Sequence, residues 1–110
     1  MKVGLYFGSF NPVHNGHMVI AQYMAEFTDL DEVWLIVSPH NPLKAESSLL
    51  QDYHRLSLAR LAIGDYRKIK ASNIEFTLPK PSYTIHTLVY LKEKAYILET
   101  LLVQLCIFVL

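Results

Sequence analysis

The chain has 110 residues, 52% apolar and 18% charged, the proportions of a folded globular protein and not of a disordered one. Its 10 Lys plus Arg balance its 10 Asp plus Glu, so no bulk field attracts nucleic acid or an anionic membrane; any anion must be held by a local site. The single cysteine, Cys106, has no internal disulfide partner and fits a reducing cytoplasm, no signal peptide is visible, and the apolar tail LLVQLCIFVL is shorter than the roughly 20 residues of a bilayer span.

In chain order, KVGLYF (2–7) is an apolar run ended by Gly8 and predicts a buried strand. From Asn15 or Gly16 to about Thr28 the period becomes helical, with Val19, Ile20, Tyr23, Met24 and Phe27 forming one apolar face. EVWLIVS (32–38) is a second strand, followed by a loop with two prolines at 39–48. Ser48 and Gln51 suggest a capping box for a helix from about Leu49 to Ile63, with Leu56, Ala59 and Ile63 inward and Gly64 at its end. KASNIEF (70–76) is a weaker strand, PKPSY (79–83) a turn, and Thr84 to Lys94 a third helix. Strand and helix alternate three times, which predicts an α/β sandwich with a mainly parallel sheet and ligands at the carboxyl ends of its strands.

The first strand-to-helix connection, GSFNPVHNGH (8–17), holds residues that build no core. Gly8 permits close approach of a ligand and positive φ, while Pro12 restrains Asn11 and keeps the loop extended. A helix starting near Asn15 puts His17 in its first turn and His14 just before it, beside free backbone N–H groups and the positive end of the helix dipole. That is an anion site suited to phosphate. Neither the phosphate-loop nor the dinucleotide pattern is present, and no cysteine or carboxylate lies nearby to complete a zinc site. The plain alternative is a turn in which Asn15 caps the helix.

GSFNPVHNGH resembles the H-x-G-H signature of the nucleotidyltransferase superfamily, and most closely its form in the nicotinate-nucleotide adenylyltransferases. KPSYTIHTL (80–88) resembles the S-Y-T-x-x-T-L segment of the same enzymes, and SPHNPLK (38–44) their loop after the second strand. The resemblance implies a Rossmann-like three-layer sandwich, represented here by its N-terminal part. It also implies adenylyl transfer from ATP, with Mg²⁺, to nicotinate mononucleotide, giving deamido-NAD and pyrophosphate. His14 and His17 are then catalytic, and Gly8, Ser9, Phe10 and Gly16 join them in holding ATP. Lys44, Ser82, Tyr83 and Thr84 address the nicotinate nucleotide; no residue is a metal ligand. Arg55 matches a family arginine and is either a phosphate ligand or a helix-face charge. Taken alone, SYT also reads as a capped helix, with Thr84 as the cap and Tyr83 in the core. The enzyme so implied is cytoplasmic, with no nucleic-acid or membrane partner.

The resemblance covers residues 1–94, the implied nucleotidyltransferase-like domain. Family members continue with a G-x-D segment and an I-S-x-T-x-x-R stretch, neither of which occurs in this sequence. Residues 95–110 read as unrelated apolar sequence, which suggests a truncated or frameshifted product. The rival readings are a related enzyme acting on pantetheine phosphate or nicotinamide mononucleotide, and a non-catalytic nucleotide-binding fragment.

Overall fold

A computed structural model describes residues 2–39, 50–80, 83–93 and 97–98. The elements run β1 (Lys2–Gly8), α1 (Asn15–Phe27), β2 (Glu32–Val37), α2 (Asp52–Ile63), β3 (Ile69–Ser72), a 3₁₀ turn (Ile74–Phe76), α3 (Thr84–Glu93) and β4 (Ile97–Leu98). The strands form one sheet in the order β3-β2-β1-β4, with every pairing parallel. In register, Leu5 faces Trp34, Phe7 faces Ile36, and Leu35 faces Ala71. Ile97–Leu98, within the segment read as an apolar tail, pairs with Lys2 and Val3.

Parallel strands covered on both faces need apolar residues at consecutive positions, and β1 and β2 supply them. Val3, Leu5, Tyr6, Phe7, Val33, Leu35, Ile36 and Val37 are all buried. The chain winds outward from β1 to β3 and then returns past β1 to β4. Right-handed crossovers therefore put α1 and α2 on one face and α3 on the other. The direction of winding reverses at β1, and the carboxyl end beside such a reversal is where open α/β sheets bind ligands.

Several expectations need correction. On α1 the buried residues are Ala21, Met24 and Ala25, whereas Val19, Tyr23 and Phe27 are 63%, 63% and 74% exposed. Two alanines let the helix lie close to the sheet, and Gly4 leaves room for Leu30 and Met24: a Cβ there would stand 2.7 Å from Leu30 Cδ1. The third strand is only Ile69–Ser72, and the rest of its predicted span turns into the 3₁₀ segment, whose buried Glu75 accepts a 2.6 Å hydrogen bond from the buried Thr87 hydroxyl. α2 starts at Asp52, three residues later than its pattern suggests, and Gln51 before it makes no side-chain cap; Ser48 lies outside the described residues. Leu56, Ala59 and Ile63 do face inward, and Gly64 ends the helix with φ 58°. α3 begins at Thr84 itself, so Tyr83 holds the position before it and its carbonyl accepts the N–H groups of His86 and Thr87.

Candidate functional site

The GSFNPVHNGH segment leaves the carboxyl end of β1 and borders a cleft of about 240 Å³ lined by Tyr6, Phe7, Gly8, Ser9, Phe10, Asn11, Pro12, His14 and His17. Its geometry begins with the start of α1. His14 is the capping residue, with extended backbone (φ −139°, ψ 178°). Its Nδ1 accepts the Gly16 N–H at 3.0 Å, and its own N–H donates to His17 Nδ1 at 3.1 Å. The pair forms a reciprocal cap built from imidazoles, in the place where hydroxyl and carboxylate side chains usually serve. Two of the N–H groups at the start of the helix, those of His14 and Gly16, are thus taken up by the histidines themselves.

That arrangement fixes the chemistry of both rings. A neutral imidazole has one donor and one acceptor nitrogen. With both Nδ1 atoms accepting, each Nε2 carries the hydrogen, and the described residues offer neither Nε2–H an acceptor. The rings stack with centroids 3.8 Å apart and planes 29° apart. Stacking disfavours two positive charges: the His17 pKa is lowered by burial and further by the charge of His14. With both Nδ1 atoms accepting from the backbone, the site presents two Nε2–H donors side by side.

Gly16 is part of this device. A Cβ on it would come within 2.8 Å of His14 Cε1 and 3.0 Å of Nδ1, so the glycine makes room for the capping imidazole. The wall behind His17 is aromatic, with the Phe10 ring edge-on at 4.9 Å and Tyr6 at 6.1 Å. Gly8 permits a left-handed conformation, but it is Phe10 that adopts one, with φ 47°. For a non-glycine residue this conformation costs about 1–2 kcal/mol. Its ring is buried, edge-on to Tyr6 at 5.4 Å. The Asn11–Pro12 peptide bond is cis.

Two residues fasten this loop to α2. Asn11 Oδ1 accepts the Leu50 N–H at 2.9 Å. Arg55 is neither a surface charge nor a residue lining the cleft. It is fully buried and donates to the carbonyls of Ser9, Ser38 and Leu50 and to the carboxylate of Asp52. In the sequence a buried arginine on a helix cannot be told from an exposed one; its position opposite the ends of two strands is the only signal, and it needs the fold to be read.

Gly8, Ser9, Phe10, His14 and His17 are thus brought together, with Gly16 behind the His14 ring. Tyr83 is 55% exposed, which removes it from the core, and meets His86 edge-on at 5.6 Å; it does not line the cleft. Lys44 and Ser82 lie outside the described residues. Among the described residues no helix is long and apolar enough to cross a membrane.

The cytidylyltransferase-like family model matches residues 5–103. A probable nicotinate-nucleotide adenylyltransferase of Flavobacterium johnsoniae is 62% identical over 94 residues, covering 86% of this chain and 49% of the relative. A probable enzyme of the same name from Christiangramia forsetii is 57% identical over 93 residues, covering 84% and 48%. The chain spans about half the length of the curated relatives it matches. Among solved structures, the Plasmodium falciparum nicotinic acid mononucleotide adenylyltransferase complexed with NaAD shares the fold, with a TM-score of 0.67 at 18% identity over 88% of this chain and 49% of that one. The chain belongs to the cytidylyltransferase-like family.

Proposed function

We propose that this chain carries the nucleotide site of a nicotinate-nucleotide adenylyltransferase. In this reading residues 1–94 form the nucleotidyltransferase-like domain of a cytoplasmic enzyme. A phosphate oxygen of nicotinate mononucleotide attacks the α-phosphorus of ATP, the bond from that phosphorus to the β-phosphate bridging oxygen breaks, and pyrophosphate leaves with the electron pair. No covalent enzyme intermediate is needed. The chain's task is to position the triphosphate and to stabilise charge growing on the leaving group.

The observation that carries this reading is the pair of stacked imidazoles with both Nδ1 atoms locked to the backbone. It supplies adjacent donors, His14 and His17 Nε2–H, whose tautomers need no reorganisation when negative charge develops. Gly8, Ser9 and Phe10 contribute backbone to the phosphate cradle, and Gly16 keeps the His14 ring in place. Mg²⁺ would come with ATP as part of the substrate and would supply positive charge to the polyphosphate; among the described residues the cleft lining includes no Asp or Glu to hold it. Ser82, Tyr83 and Thr84 are assigned to the nicotinate nucleotide, and Lys44 to a phosphate.

The test is pyrophosphate release by the purified chain with ATP and, in turn, nicotinate mononucleotide, nicotinamide mononucleotide and pantetheine phosphate. Release with the first acceptor alone supports the assignment, and His17→Ala then lowers it by about 10²–10³, the usual loss on removing one donor to transition-state charge. Preference for another acceptor reassigns the substrate. ATP binding without release under any condition supports a binding site that does not turn over.

A further inference from the structure

We propose that Arg55 is a positioning residue for the nucleotide cleft, acting through the Ser9–Phe10 peptide and not by touching a ligand. The inference rests on the nucleotide reading of the cleft and adds to it the part that aims a backbone donor. The guanidinium is fully buried, a placement that is unfavourable unless its donors are matched and that an apolar side chain of similar volume would fill more simply. Four donations match it: Nη1 to Ser9 O at 2.6 Å and Ser38 O at 2.7 Å, Nε to Leu50 O at 2.9 Å, and Nη2 to Asp52 Oδ1 at 2.5 Å. Ser9 and Ser38 are the residues that follow β1 and β2, so one planar group gathers the ends of two adjacent strands at the start of α2.

The consequence lies in the peptide plane. Among the described residues only Asn11–Pro12 is cis, so the Ser9–Phe10 peptide is trans, and its C=O and N–H point in opposite directions. With the carbonyl drawn into the interior by Arg55, the Phe10 N–H is turned the other way. Ser9 and Phe10 both line the cleft, and no acceptor among the described residues takes that N–H. Phe10 does not favour φ 47° by itself, so the orientation has to be imposed. Arg55 imposes it, and the same peptide sets the Phe10 ring against His17 at 4.9 Å. One buried cation thereby aligns a backbone donor with the imidazole pair for a polyphosphate.

Arg55→Lys keeps the charge and Arg55→Met keeps most of the volume, but neither reproduces the planar fork. In the full chain, both variants are expected to unfold cooperatively, to leave the amide resonances of β1 in place, and to bind ATP and inorganic pyrophosphate at least about tenfold more weakly than the parent. The Phe10 amide should shift when pyrophosphate is added to the parent and stay unmoved in both variants. A folded Arg55→Lys with parental affinity overturns the proposal, while loss in Arg55→Met alone would make Arg55 a source of charge and overturn it equally. If neither variant folds, the parent decides: a Phe10 amide indifferent to bound pyrophosphate refutes the proposal, and one that shifts supports it. Failure of the parent to bind either anion refutes the nucleotide reading itself, a result distinct from any effect of the variants.

Discussion

His17 accepts the His14 N–H at Nδ1, and a proton on that nitrogen would break the bond. Burial and the neighbouring His14 lower its pKa below the ordinary 6.5, so the folded chain binds this proton less readily than the unfolded one. The stability His17 contributes is complete above pH 6.5 and is lost as the pH falls from there through the lowered value. Urea unfolding at about pH 7.5 and about pH 5.5 should therefore show a larger loss for the parent than for His17→Gln, which does not titrate. Equal losses would mean that the imidazole is not held neutral. Gly16 gives a second test, because helix propensity and site geometry oppose each other there. Gly16→Ala gains up to about 1 kcal/mol of helix propensity. Its methyl group, however, displaces the His14 ring, which stands 2.8 Å from where the Cβ would be. Displacing the ring also undoes its cap on the Gly16 N–H, which offsets that gain, so the variant is expected to stay within about 1 kcal/mol of the parent in urea. It should bind ATP about tenfold more weakly, or ~1.4 kcal/mol, by calorimetry. Parental ATP affinity would show that the His14 position is not critical.

On α1 the alanines, not the aromatics, mark the buried face. Met24 is 3% exposed between Ala21 and Ala25, whereas Phe27 is 74% exposed and touches Tyr23 with ring centroids 4.9 Å apart. Met24→Ala should cost about 2–5 kcal/mol in a urea titration. Phe27→Ala, at an exposed site, should stay within about 0.5 kcal/mol. A reversal of that order would return the helix to the face its large residues suggest. The misreading has a physical origin: hydrophobic periodicity weights side chains by size, and a helix seated close to a sheet needs small ones. The alternation of strands and helices was legible because β1 and β2 are continuous apolar runs and turn residues separate the elements. β3 was only half legible, since Asn73 and the residues after it favour a turn that strand propensity does not weigh. At the cleft, the glycines and histidines could be found from the motif and its place after β1. The partners of Arg55 could not, because Ser9 and Ser38 lie 46 and 17 residues away and meet it only once the strands are paired.

Across the molecule, α1 and α2 cover one side of the sheet, and α3 alone among the described helices takes the other. Its attachment depends on Leu91, which is fully buried, and on the bond from Thr87 to Glu75. That bond closes the connection that leaves β3 through the 3₁₀ turn and enters α3, the same connection that carries Tyr83. Glu75 is 2% exposed, and among the described residues its Oε1 has no partner, so the Thr87 hydroxyl is the donor its carboxylate has there. Replacing Thr87 by valine keeps the shape and removes the donor. A buried acceptor left without its partner costs about 1–3 kcal/mol, and more when it is charged. Thr87→Val should accordingly lower the unfolding free energy read from a urea titration by at least about 1 kcal/mol. In Glu75→Leu/Thr87→Val no polar group is stranded, so the double variant should be more stable than the Thr87→Val single, and the cycle should give a coupling above about 1 kcal/mol. Additive losses would mean that the two side chains do not share a bond. The attachment of α3 to the sheet would then rest on its apolar contacts, Leu91 foremost.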